Sequence, residues 1–182
     1  MSAKNTLKKF YPVIVLTAVV AISVGLLSLT DNLTREKIEW QKEQKIQRLL
    51  FDLFPDMSRY DLENEIYIIY STEDKVSYAF VAVGKGYGGD IDILVGLEDE
   101  NTLKGISIIS QVETPGLGNR ITESYFTDQF AGLSADEVAR RRDGGQVDTI
   151  TGATMSSSAV IKAVRAAAME KIKLIKDREQ GK

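Results

Sequence analysis

The sequence of 182 residues has no cysteine and no histidine, and only three prolines and one tryptophan. Without cysteine there is no disulfide framework, no thiolate nucleophile and no cysteine-ligated iron–sulfur cluster. Without histidine there is no Ser-His-Asp triad and no zinc site of the usual His/Cys kind. Hard chemistry is left to carboxylates, hydroxyls, backbone groups or a bound cofactor, and no catalytic residue or metal-ligand set is singled out. Redox chemistry would have to come from a cofactor that the protein holds. Positive charge is also in short supply. Residues 1–30 contain Lys4, Lys8 and Lys9 and no acid, so the remainder carries 20 basic and 26 acidic side chains, a net −6 against −3 for the whole chain. An acidic body without a basic tract is a poor binder of phosphate backbones, and no nucleic-acid partner is expected. At 43% hydrophobic and 27% charged, the composition is that of a folded chain.

One long hydrophobic run is present. From Phe10 to Thr30, 21 consecutive residues carry no charge. A helix of that length, at ~1.5 Å per residue, covers roughly the ~30 Å of a bilayer's hydrocarbon. No face of the run has a polar stripe, which argues against a buried soluble helix. It exceeds a typical signal-peptide core, and no small-x-small cleavage site precedes Asp31. The expected organisation is a tail at 1–9, a transmembrane helix at 10–30, a stalk helix at 31–55 and a domain at 56–182. Pro12 is tolerable in a first helical turn, Asp31 and Asn32 are candidate N-caps for the stalk, and Pro55 marks its stop. Lysines and arginines flank the span on both sides, so charge alone leaves its orientation open.

Within 56–182, strands are expected at Glu65–Tyr70, Val76–Val83, Ile91–Leu97 and Leu103–Ser110, all rich in β-branched and aromatic residues. Short spacing favours antiparallel neighbours. Helices are expected at Glu123–Phe130, Ala135–Arg141 and Ser156–Lys176, the last with an apolar stripe of Val160, Val164, Ala168, Ile172 and Ile175. The fold class is α+β: an antiparallel sheet packed with helices, behind a membrane helix and a stalk helix.

Three segments stand out. Asp148–Thr154, DTITGAT, leads into the C-terminal helix through Met155 and three serines, with Gly152 permitting a tight turn. Unpaired N–H groups and the positive end of the helix dipole suit an anionic phosphate there. Thr154 or Ser156 would serve equally as an ordinary N-cap. Glu113–Gly118, ETPGLG, predicts a turn with positive φ at Gly116 after Pro115, and Gly118 adds a second permissive point. Gly84–Asp90, GKGYGGD, lacks dinucleotide-fingerprint spacing and reads as a loose hairpin able to approach a ligand.

Taken together, DTITGAT, ETPGLG and GYGGDIDILVG resemble the covalent-FMN-binding family, over about Tyr78 to Val164. One N-terminal span followed by one such domain is similar to the G subunits of Rnf-type ion-translocating complexes. The C subunits of sodium-pumping NADH:quinone reductases are similar but usually longer. The resemblance implies one FMN per chain, joined by a phosphodiester to Thr154, with Asp148, Thr151, Gly152 and Ala153 completing the attachment motif. It implies that a flavin transferase installs the group from FAD with Mg²⁺. Glu113, Thr114, Pro115, Gly116, Leu117 and Gly118, with Tyr87 and Gly88, would lie near the flavin ring. It further implies an electron relay between ferredoxin and NAD⁺ coupled to Na⁺ or H⁺ movement. Membrane, iron–sulfur and flavin subunits would be its partners, and the domain would face the extracytoplasmic side of the inner membrane. A different FMN-domain respiratory or regulatory protein, and a non-redox tethered scaffold, are the alternatives.

Overall fold

The computed structural model describes residues 3–73 and 75–180. Residues 1 and 2 of the expected tail and residues 181–182 of the expected domain lie outside these. The chain divides into two compact units, 1–44 and 45–182.

The first unit is helical, forming most of α1 (Ala3–Leu53). Its apolar residues between Phe10 and Leu29 are exposed to the surroundings instead of packed in a core. The helix is long and apolar enough to cross a membrane, with a mean hydropathy of 2.5 over an 18-residue window of which nothing is buried. The two threonine hydroxyls of this run are satisfied by the helix itself. Thr17 donates to the Val13 carbonyl and Thr30 to that of Leu26, both at 2.9 Å. Such internal pairing is what an apolar solvent demands. Two expectations are corrected here. Pro12 lies inside the helix because the helix begins at Ala3. The backbone also stays helical through Asp31 and Asn32, so neither starts a new helix. Thr34 donates to the Thr30 carbonyl at 2.7 Å, and Arg35 pairs with Asp31 at 3.4 Å, ties that continue a helix across the polar junction.

The second unit is built on a five-stranded antiparallel meander in the order β1 (Met57–Glu63), β2 (Ile66–Ser71), β3 (Val76–Lys85), β4 (Asp90–Leu97) and β5 (Leu103–Ser110). Both faces of the sheet are covered, because alternate residues of the central strands are apolar on each side. Ile69, Ala79, Leu94 and Ile109 pack with Ile46 and Leu50 near the end of α1 and with Phe54 just after it. Ile68, Phe80, Ile93 and Val95 pack with Val160, Val164 and Ala168 of α3 (Thr154–Gln180) on the other side. Between β5 and α3 run short helical turns, including α2 (Ser124–Thr127), whose Phe126 meets Phe130 edge-on in the same core.

Two parts differ from the sequence reading. β1 is an addition to the expected strands: it is an edge strand with only Met57 buried, and Arg59, Asp61 and Glu63 mask its alternation. Charges of this kind guard a sheet edge against further pairing. Residues 135–141 do not form the expected helix. Glu137 accepts hydrogen bonds from the Ser134 amide and hydroxyl, which hold its carboxyl below the usual range. The chain then turns back, with the Val147 amide donating to the Ala139 carbonyl at 3.0 Å and the Arg141 amide to Val147 at 2.9 Å. The apolar positions span one turn only, and this return bridge outcompetes helix extension.

Gly84 sets how closely α3 approaches β3. A Cβ there would lie 2.9 Å from the Ala159 carbonyl oxygen and 3.3 Å from the Ala163 Cβ. Gly84→Val is therefore expected to push α3 outward and cost about 1–3 kcal/mol through overpacking. Thermal unfolding followed by circular dichroism checks this; an unchanged midpoint would contradict the close contact.

Candidate functional site

The N-terminus of α3 is delivered by the DTITGAT segment. Gly152, with φ of 83°, turns the chain, and Ala153 is buried and accepts the first helical hydrogen bond, from the Ser157 amide at 3.0 Å. The Ser157 hydroxyl fixes this entry by donating to the Ala153 carbonyl at 2.9 Å and accepting from the Ile150 amide at 3.1 Å. Ala153 thus occupies the cap position, and neither Thr154 nor Ser156 serves as the N-cap. Among the described residues, the amides of Thr154, Met155 and Ser156 donate to nothing. Their N–H groups and the dipole of a 27-residue helix leave positive potential at an exposed threonine hydroxyl.

Glu113 joins this helix start to the two glycine-containing loops. Its side chain is buried, at 5% exposure. One carboxylate oxygen accepts from the Gly88 amide at 2.9 Å, and the other accepts from the Ser156 hydroxyl in a short hydrogen bond. The close spacing explains the glycines nearby. A Cβ on Gly118 would lie 2.5 Å from one Glu113 oxygen and 2.7 Å from the Ser156 oxygen, and a Cβ on Gly86 would lie 2.1 Å from the other Glu113 oxygen. The Pro115-Gly116 turn has φ of 76° at Gly116, and the Leu117 amide donates to the Thr114 carbonyl at 3.2 Å.

Together these segments wall a cleft of about 550 Å³, within the range that holds small molecules and cofactors. Of the residues singled out in the sequence, Tyr87, Glu113, Thr114, Leu117, Gly118, Gly152, Ala153 and Thr154 line it. Asp148, Thr151, Pro115, Gly116 and Gly88 do not. Asp148 is exposed and pairs with Arg141 at 2.9 Å, while its amide donates to the Gln129 side chain at 2.8 Å. Met155 and Ser156 also line the cleft, beyond the contacts expected from sequence. Their position immediately after Thr154 is the available signal. Tyr87, Leu117 and Met155 leave apolar surface open around the hydroxyl, at 72%, 49% and 63% exposure.

Residues 86–169 match the family described as the FMN-binding domain. Over 90% of its length the chain is 31% identical to the G subunit of an ion-translocating oxidoreductase complex from Aliivibrio fischeri, spanning 89% of that protein. A protein of the same name from Methanosarcina acetivorans is 28% identical over 85% of this chain and 90% of its own length. Among solved structures, the C subunit of a Na⁺-translocating NADH-quinone reductase from Parabacteroides distasonis shares the fold. It has a TM-score of 0.50 and 23% identity, covering 59% of this chain and 61% of that one.

Proposed function

The chain belongs to the G-subunit family of ion-translocating oxidoreductase complexes, and on that premise we propose that it is a membrane-anchored electron-transfer protein with one FMN held as a phosphodiester on Thr154. The observation that carries this reading is the exposed Thr154 hydroxyl, which stands at the start of a long helix on the wall of the cleft. A chain without cysteine or histidine relays electrons only through a bound group, and a flavin supplies one- and two-electron transfer.

The residues present fit that group. The cleft has room for a planar ring and offers it an open apolar rim of Tyr87, Leu117 and Met155. The unpaired amides of the first turn of α3 favour the single negative charge of a phosphodiester. In attachment, Thr154 Oγ loses its proton and bonds to the FMN-side phosphorus of FAD. The pyrophosphate bond breaks, and AMP leaves with its electron pair. A flavin transferase using Mg²⁺ catalyses this step and recognises the motif around Asp148. Glu113 acts at a distance from the phosphorus: it locks the two loops against α3 and so holds the acceptor in place.

Phe10 to Thr30 anchors the chain in the inner membrane, with the flavin domain on the extracytoplasmic side, where a covalent bond prevents loss of a cofactor that is not replenished there. The surrounding complex passes electrons between ferredoxin and NAD⁺, coupled to Na⁺ or H⁺ movement, through its other membrane, iron–sulfur and flavin subunits.

The test is a denaturing gel of chain produced together with the transferase. The protein band fluoresces under ultraviolet light if flavin is covalently attached, and a dark band overturns the proposal. In the same assay Asp148→Ala is expected to lower loading severalfold. Its ion pair with Arg141 is exposed on both sides, at 60% and 58%, so stability changes by less than about 1 kcal/mol. Unchanged loading would refute the recognition role.

A further inference from the structure

A second cleft, of about 320 Å³, meets the first at Thr154 and Met155, which line both. Its walls bring together Lys85 from the end of β3, Arg140 from the turn before Val147, and Lys162 from α3. Three cations from separate parts of the chain thus converge in a unit whose overall charge is negative. Arg140 is neutralised by Asp143 at 2.5 Å. Lys85 and Lys162 have no acidic partner among the described residues. The Ser158 hydroxyl, on the same wall, is closed to solvent and has no hydrogen-bond partner. A further basic side chain, Arg165, lines the adjoining hollow with Arg140 and Lys162.

We propose that this basic cleft is the phosphate subsite of the flavin: Lys85 and Lys162 hold the anionic diester on one side of Thr154 while the ring occupies the apolar cleft on the other. The proposal rests on the flavin assignment above and adds the residues that orient the tether. Two clefts that share one hydroxyl, one bearing Tyr87 and Leu117 and the other Lys85 and Lys162, match a ligand with a planar ring at one end and an anion at the other. The unpaired amides of α3 and the two lysines then face the same charge, from the backbone and from side chains. Both lysines are exposed, so their contribution depends on salt.

The experiment uses the full chain carrying Thr154→Ala, purified in detergent from a host without the transferase, and titrates it with free FMN and with riboflavin, which lacks the phosphate. FMN is expected to bind about tenfold more tightly than riboflavin at low salt, the advantage shrinking as salt rises. Adding Lys85→Gln and Lys162→Gln removes most of this preference, the amides of α3 keeping the remainder, and leaves riboflavin unchanged. Full FMN preference in the lysine-less chain overturns the subsite, and so does equal binding of the two flavins, or failure of both to bind, by the Thr154→Ala chain. The denaturing gel of the wild-type chain separates the two readings. A fluorescent band with no phosphate preference sinks the subsite alone, and a dark band sinks the flavin assignment itself.

Discussion

Thr154→Ala is expected to remove all fluorescence that survives denaturation while leaving the domain as stable as before. The loss is complete because the proposed bond is made by one oxygen, and alanine has none to offer. Stability is spared for reasons visible in the structure. Thr154 is exposed and its side chain caps nothing, since Ala153 holds the cap position and Ser157 fixes the entry to the helix. Surface changes of this kind usually stay within about 0.5 kcal/mol. Thr154→Ser keeps an acceptor oxygen and should keep part of the loading. Thr151→Ala keeps the Thr154 oxygen, so whatever flavin that chain loads should still map to Thr154, because Thr151 stands outside the cleft. Mass spectrometry of tryptic peptides locates the modification. Flavin retained on the Thr154→Ala chain after denaturation would move the attachment elsewhere.

Glu113→Ala is expected to reduce stability and loading together. It strands the Gly88 amide and the Ser156 hydroxyl beside a new cavity, in a place where both had a carboxylate partner. Buried groups left without partners cost about 1–3 kcal/mol each, and the two losses share one site, so roughly 2–4 kcal/mol is reasonable. For a domain of this size that lowers the unfolding midpoint by about 5–15 °C. Glu113→Gln is the informative companion. Its amide oxygen still accepts from Gly88, and the Ser156 hydroxyl can rotate to accept from the amide nitrogen. Most of the stability should return. Thermal unfolding and gel fluorescence of the three proteins check this, and an alanine variant as stable and as fully loaded as wild type would remove Glu113 from its place at the junction.

How legible this site is from residues alone depends on distance along the chain. The apolar run at Phe10 to Thr30 and the strands β2 to β5 carry their signal within a few neighbours, as length without charge or as β-branched density. The Pro115-Gly116 turn is likewise local. β1 escapes notice because its edge position tolerates Arg59, Asp61 and Glu63, which erase the alternation a strand is known by. Residues 135–141 mislead because a single turn of apolar spacing, at Ala135, Val138 and Ala139, looks the same whether a helix continues or a bridge to Val147 forms. The tie between Glu113 and Ser156, 43 residues apart, has no local sign at all. Nor has the convergence of Lys85, Arg140 and Lys162, which only the packing of α3 on β3 creates. Thr154 stands out by its motif, but the companions that would hold it ready belong to tertiary structure.

The order of the strands bears on timing during synthesis. In the meander each strand pairs with the one made just before it, so the sheet can assemble progressively as the polypeptide emerges. α3 is different: it follows the whole sheet along the chain, and its Val160, Val164 and Ala168 bury themselves against Phe80, Ile93 and Val95 of strands completed well before it. The Thr154 hydroxyl therefore reaches its place on the wall of the cleft only after all five strands and the first turns of α3 have been made. On the proposed attachment, maturation would act on a domain whose sheet and helix start have already come together.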